Sequence, residues 1–167
     1  MSGDIVARIH AFLDGSGLDY EVMACDPDLA DTAVFCERYN LPLENSVNTI
    51  LVKAKSGGER FAACVLLATT RLDVNRVVRK RLDARRVSFA GADETRAITG
   101  MEIGGVTPIG LPEELPLWID QRVMEAQFVI LGGGNRSSKI KISPRIFAQV
   151  PSVTIIDGLA KLPPAES

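Results

Sequence analysis

The stretch Gly100-Met101-Glu102-Ile103-Gly104-Gly105-Val106-Thr107-Pro108-Ile109-Gly110-Leu111-Pro112 decides how this chain is read. Four glycines and two prolines in thirteen residues exclude a regular helix and a central strand. Glycine gives up the most chain entropy on ordering, and proline cannot donate to a ladder. Met101, Ile103, Val106, Ile109 and Leu111 are nevertheless apolar, so the segment is expected to pack down. A packed loop must place its own N–H and C=O groups somewhere, and a ligand is one such place. The Gly104-Gly105 pair opens the main chain to close approach, and Pro108 stiffens the exit. Taken alone, the stretch reads first as a structural turn; a binding role needs support from another segment.

Working outward, Asp93–Thr99 reads as a short helix that Gly100 ends in the left-handed conformation, and Val87–Ala90 as a short strand before it. Downstream, Leu117-Trp118-Ile119 is a strand and Asp120 caps a helical turn. Gln127–Leu131 is an apolar strand running into Gly132-Gly133-Gly134-Asn135-Arg136-Ser137-Ser138-Lys139. Lys139–Ile142 alternates as a half-exposed strand, Ser143-Pro144 starts a helix, and Val153–Ile156 is a last strand. Toward the N-terminus, Ile5, Ile9, Phe12 and Leu13 share a helix face that Gly15-Ser16-Gly17 stops. A strand over Asp19–Cys25 follows, then a helix from Asp28 or Asp31 to Asn40. Asn48–Lys55 and Glu59–Ala68 pair as a hairpin about Ser56-Gly57-Gly58. Phe61–Ala68 is apolar on both faces, as a central, doubly covered strand must be. Val74, Val77, Val78 and Leu82 mark a helix capped by Asp73. Strands and helices mix without regular alternation, so the expected fold is one α+β domain over residues 1–160. It is built on a mixed or barrel-like sheet, with 161–167 as a loose tail.

Composition narrows the function. The chain has 167 residues, 46% hydrophobic and 24% charged, with net charge −2. That is no bulk nucleic-acid coat. Arg71–Arg86, however, carries seven basic residues against Asp73 and Asp83, a local +5. No signal-like start or membrane-length apolar run is visible, so a cytoplasmic protein with no membrane partner is expected. Three cysteines (Cys25, Cys36, Cys64) without metal spacing and the single His10 argue for a reducing compartment, no zinc and no catalytic triad. Cys64 sits among alanine and valine, a place for an inert core thiol. The Gly132–Lys139 turn lacks a Gly-Lys-Ser/Thr ending and is no P-loop. It offers a nest of N–H groups beside Arg136, Ser137 and Lys139, suited to an anion or a polar terminus, and equally reads as an ordinary glycine-rich hairpin.

Two glycine loops in one small domain suggest a site between them. Gly104–Pro112, Leu117–Asp120 and Gly132–Ile142, with Asn48-Thr49-Ile50-Leu51-Val52 upstream, resemble the YbaK/prolyl-tRNA-synthetase-associated domain over roughly residues 20 to 150. The resemblance implies a trans-editing enzyme that hydrolyses the ester between a wrong amino acid and tRNA, typically tRNA for proline. It needs no cofactor and no metal, and its partners are the aminoacyl-tRNA acceptor end and a synthetase. Gly104 and Pro108 then end the family's Gly-x-x-x-Pro loop, with Asn48, Gly104 and Gly105 at the reacting ester. Thr49, Val106, Thr107, Pro108, Asp120, Gly132, Gly133, Gly134, Arg136, Ser137 and Lys139 would line the same pocket. Arg76, Arg79, Lys80 and Arg81 become candidates for acceptor-stem phosphates, and replacing Arg79 and Arg81 by alanine should flatten the salt dependence of binding. The chain departs from the family at Asn48, where a catalytic lysine is usual. Lys53 leaves the opposite face of that strand, five residues on. Lys139 is the expected substitute, swinging in from the glycine loop. The alternative is a non-catalytic module that kept the pocket after losing the lysine.

Overall fold

The structure, a computed structural model, describes residues 2–55 and 60–163. In chain order the elements are α1 (Ser2–Asp14), β1 (Tyr20–Ala24), α2 (Thr32–Tyr39), β2 (Val47–Ala54), β3 (Phe61–Leu67), β4 (Arg71–Leu72) and α3 (Arg79–Arg81). Then come β5 (Val87–Phe89), α4 (Ala92–Thr99), β6 (Leu117–Asp120), α5 (Gln121–Glu125), β7 (Val129–Gly132), β8 (Ser138–Ile142), β9 (Val153–Ile156) and β10 (Ala160–Lys161). The fold is α+β with a mixed sheet. β2 and β3 pair antiparallel from Val47↔Leu67 to Lys53↔Phe61, and the five-stranded order is β5-β2-β3-β6-β9, with β3–β6 and β6–β9 parallel. The expected hairpin turn at 56–58 lies outside the described residues.

The period of two sorts the side chains of β2, β3 and β6 onto two cores. Val47, Leu51, Ala63, Val65, Leu117 and Ile119 face α1, through Ile5, Ile9 and Leu13, and the second sheet. Val52, Ala54, Ala62, Cys64 and Trp118 face Val78 and Leu82. Burial of both faces makes β3 the centre of the molecule and pushes the Cys64 thiol up to about 12, leaving it protonated and inert. The second sheet, β1-β8-β7, is antiparallel throughout, and a parallel bridge from Ser46 to Ile130 joins the two sheets.

Several expectations change in detail. The segment after Asp73 starts as a π-helical turn, Val74–Val78, before α3, with the Asp73 carboxylate accepting from Arg76 N–H at 3.3 Å. Ser143 caps Arg145 N–H, but the helix it opens is 3-10, Pro144–Gln149. β8 is not half-exposed: Ile140 and Ile142 enter the main core, and Lys139 on the other face is 6% exposed beneath Phe35 of α2. The pairing of β10 with β4 was not visible in the sequence, because two-residue strands carry no period. It carries pairing through Lys161; of the expected tail, 164–167 lie outside the described residues.

Candidate functional site

Strand β5 pairs with β2 only at Val52, Lys53 and Ala54, and Ala90 N–H then bonds Leu51 C=O at 2.8 Å. Among the described residues, Asn48–Ile50 therefore have no strand partner on that edge. The Leu51 carbonyl and the Lys55 N–H, which bonds Arg86 C=O, show that odd-numbered residues turn their backbone groups this way. Thr49 N–H and C=O accordingly face open space. That space is a cleft of about 480 Å³, walled by β2 from Val47 to Leu51, by Phe89, Ala90 and Thr95, by Ile103, Gly104 and Val106, and by Gly132 and Lys139. Asp31 and Thr32 at the start of α2 complete it.

The loop 100–112 keeps its shape through its own backbone. Gly100 closes α4 at φ 74, and Gly104 takes φ 93, a region that favours glycine. Gly105 N–H turns back to Glu102 C=O at 2.8 Å, and Thr107 N–H reaches Met101 Sδ at 3.4 Å. Among the described residues, Gly104 N–H and Val106 N–H donate to no protein group, and both residues line the cleft. These two amides are what the loop offers a ligand.

The second glycine loop does something different from what its composition suggested. Gly133 N–H bonds Ser138 C=O, Gly134 N–H bonds Gly105 C=O at 2.7 Å, and Ser137 N–H bonds the Asn135 side chain. The Gly133, Gly134 and Ser137 amides are thus spent inside the protein. The loop's glycines instead admit a backbone-to-backbone contact. A Cβ on Gly132 would lie 2.5 Å from the Val106 carbonyl oxygen, and one on Gly105 would run into the Asn135 carbonyl. The two loops therefore pack back to back, and the cleft is lined by Gly104 and Val106 of the first and by Gly132 and Lys139 at the ends of the second.

Lys139 and Arg136 pin that arrangement. Lys139 Nζ donates to Ala30 C=O at 2.6 Å and Gly104 C=O at 2.8 Å. Burial is the main reason its pKa falls below the ordinary 10.5. Arg136 donates to Ile103 C=O at 2.6 Å and Pro27 C=O at 3.0 Å, and its guanidinium lies 3.4 Å from Asp31. Asn48 Oδ1 accepts from Thr32 Oγ1 at 2.6 Å, which orients the amide. Asn48 Nδ2 has no protein partner among the described residues.

The residues singled out from sequence thus separate into two groups. Asn48, Thr49, Gly104, Val106, Gly132 and Lys139 line one cleft. Gly105, Gly133, Gly134 and Arg136 stand behind it as loop contacts, Thr107 and Pro108 are buried beneath it, and Ser137 is exposed outside it. Asp120 is fully buried elsewhere: Oδ2 caps Arg122 N–H at 3.2 Å and Oδ1 accepts from Ala160 N–H at 3.0 Å. Its carboxylate ties β6 to β10 and does not reach the cleft. Lys53 pairs with Glu94 at 2.7 Å, also outside. Arg76, Arg79, Lys80 and Arg81 are exposed on the π-helical turn and α3, and none lines the cleft. Sequence reading missed Asp31, Thr32, Phe89 and Thr95. Asp31 carried a signal only as a helix cap, yet its side chain makes no capping bond.

Against known proteins, the family model described as the aminoacyl-tRNA editing domain matches residues 26–149. Among solved structures, a proposed trans-editing enzyme for prolyl-tRNA synthetase superposes with TM-score 0.73 at 19% identity, covering 91% of this chain and 94% of that one. The hypothetical protein APE2540 superposes with TM-score 0.76 at 23% identity, covering 90% and 97%. A proposed signal-transduction protein from Marinobacter aquaeolei VT8 matches with TM-score 0.58 at 18% identity, covering 92% of this chain and 30% of its own. At these identities the superpositions establish the fold. No helix among the described residues is long and apolar enough to cross a membrane.

Proposed function

This chain belongs to the aminoacyl-tRNA editing domain family, and from that premise we propose that it deacylates misacylated tRNA, removing a small wrong amino acid from tRNA for proline. The observation that carries the reading is that Gly104 and Val106, whose N–H groups have no protein acceptor among the described residues, line one cleft with Asn48 and Lys139. Ester hydrolysis moves negative charge onto the carbonyl oxygen. Donors already fixed in place stabilise that charge without reorganising, an effect worth about 3–4 kcal/mol per donor. Water adds to the carbonyl carbon. The ester C–O bond then breaks, and the proton ends on the departing ribose oxygen. The products are the free amino acid and tRNA.

Asn48 supplies an N–H where the family's lysine would supply a charge. Lys139 brings positive charge to the same cleft from β8, as a brace on Gly104 C=O. Asp31, the carboxylate in the lining, suits the substrate's α-ammonium. Val47, Leu51, Ala90 and Val106 form an apolar wall that favours a small side chain and excludes bulky ones.

The exchange of lysine for Asn48 also supports a second reading, a module that binds an aminoacyl end without turnover. A deacylation panel separates the two. Transfer RNAs charged with Ala, Cys, Ser, Thr and Pro are incubated with wild type, Asn48→Ala and Asn48→Lys. Turnover by wild type that falls in Asn48→Ala supports the enzyme. Binding without turnover in wild type, with activity gained in Asn48→Lys, replaces it with the module.

A further inference from the structure

We propose that a nucleotide subsite runs along β5, with Phe89 stacking the terminal base and a cationic cavity behind it seating the adjoining phosphate. The proposal rests on the editing reading above and identifies the part of the substrate that the cleft itself does not hold. Phe89 lines the mouth of the aminoacyl cleft and is 57% exposed. A three-residue strand gains little from an aromatic ring left in water, whereas an exposed ring beside a reaction cleft is a stacking platform.

The preceding residues of the same strand, Val87 and Ser88, line a second cavity of about 260 Å³. Lys55, Arg79 and Arg86 also line it, and no carboxylate does among the described residues. These cations come from the end of β2, from α3 and from the residue entering β5. Lys55 N–H to Arg86 C=O, at 2.8 Å, holds two of those segments together. The fold, not the basic run in the sequence, selects them, because Arg76, Lys80 and Arg81 stay outside the cavity.

Val87 and Phe89 share one face of β5, two residues and about 7 Å apart on an extended chain, and Val87 lines the cationic cavity. That span suits one nucleotide, from its base to its flanking phosphate. An ester held at Gly104 and Val106 would leave its ribose at the mouth, its base against Phe89 and its 5′ phosphate over the cavity. A 3′-terminal single strand has this chemistry: an unstacked base, an anionic backbone and an acyl group at the end.

The test uses the full chain and an uncharged RNA minihelix ending in CCA, with 2-aminopurine as the last base; fluorescence reports stacking without requiring catalysis. Wild type should quench the probe. Phe89→Ala should abolish quenching and weaken binding about 5- to 100-fold, while Phe89→Trp retains both. The Arg79→Ala/Arg86→Ala double variant should quench at saturation but lower the log–log salt slope by about 0.7, one single-strand phosphate. Hydrolysis of the same minihelix charged with alanine is measured in parallel. If wild type hydrolyses it and the Phe89→Ala and double-arginine variants bind and quench as wild type does, the subsite is refuted and the editing reading stands. Quenching that depends on Phe89, without hydrolysis by wild type, supports the subsite and removes the catalytic reading. Neither binding nor hydrolysis by wild type overturns both.

Discussion

Gly132→Ala tests whether the back-to-back packing of two loops shapes the cleft. The added Cβ would meet Val106 O at 2.5 Å and both C and O of Gly105 at 2.8 Å. Carbon–backbone contacts below 3.0 Å are essentially never seen, so something must move by at least about 0.5 Å. The atoms struck are all main chain, so no side chain can swing clear. Overpacking of this kind costs about 1–3 kcal/mol. In a chain of this size that lowers Tm by roughly 2–12 °C. The displaced atoms belong to the loop whose Gly104 and Val106 amides are the proposed donors to the substrate. A misplacement near 1 Å costs about 100-fold, so half that shift should lower kcat about 10-fold. Gly15→Ala is the control, because its Cβ would make only an ordinary 3.5 Å contact with Ala11 O. Thermal melts by circular dichroism and single-turnover deacylation are the two readouts. If Gly132→Ala melts with the wild type and hydrolyses at its rate, the argument from loop contact is wrong.

Two further outcomes follow from the charged groups. Lys139→Met strands the carbonyls of Ala30 and Gly104, at about 1–3 kcal/mol each before the relief of an unburied ammonium, so Tm and kcat should fall together. Lys53→Ala should leave kcat unchanged; loss of deacylation in Lys139→Met with an unaltered Tm would show direct action on the substrate instead of bracing. Hydrogen bonds from the Lys53 side chain and then from Gly91 N–H hold Glu94 below its ordinary 4.5. The folded pKa lies below the unfolded one, so this stabilisation is complete above pH 4.5 and is lost as pH falls through the lowered value. Melting curves across that range should be shallower for Glu94→Gln than for wild type, and superimposable curves would show that the pair contributes nothing.

Much of this was legible in one dimension. The apolar run Phe61–Ala68 announced a strand covered on both faces, Gly100 announced a left-handed helix end, and Asp120 and Ser143-Pro144 announced caps. Each depends on neighbours a few residues away, where backbone sterics and a period of two or 3.6 act directly. The resemblance in the two glycine loops likewise pointed to the family before any coordinates. Other features involve groups far apart in the chain. Lys139 alternated like an exposed residue, and only Phe35 of α2 with the Ala30 and Gly104 carbonyls, brought over it by the fold, buries it. The Gly132–Lys139 loop had the composition of an anion nest, and only the folded loops show the Gly133, Gly134 and Ser137 amides already used, Gly134 by the distant Gly105 carbonyl.

Sequence by itself determined most of the longer elements, the doubly buried central strand, the inert thiol at Cys64 and the family. Tertiary structure alone decided which backbone groups remain unpaired, which cations share a cavity, and that Asp31, Thr32 and Phe89 stand at the cleft. The physical reason is that hydrogen bonding is exclusive. A glycine amide is available to a ligand only if no distant carbonyl has claimed it, and no local pattern of residues records which carbonyls fold into reach.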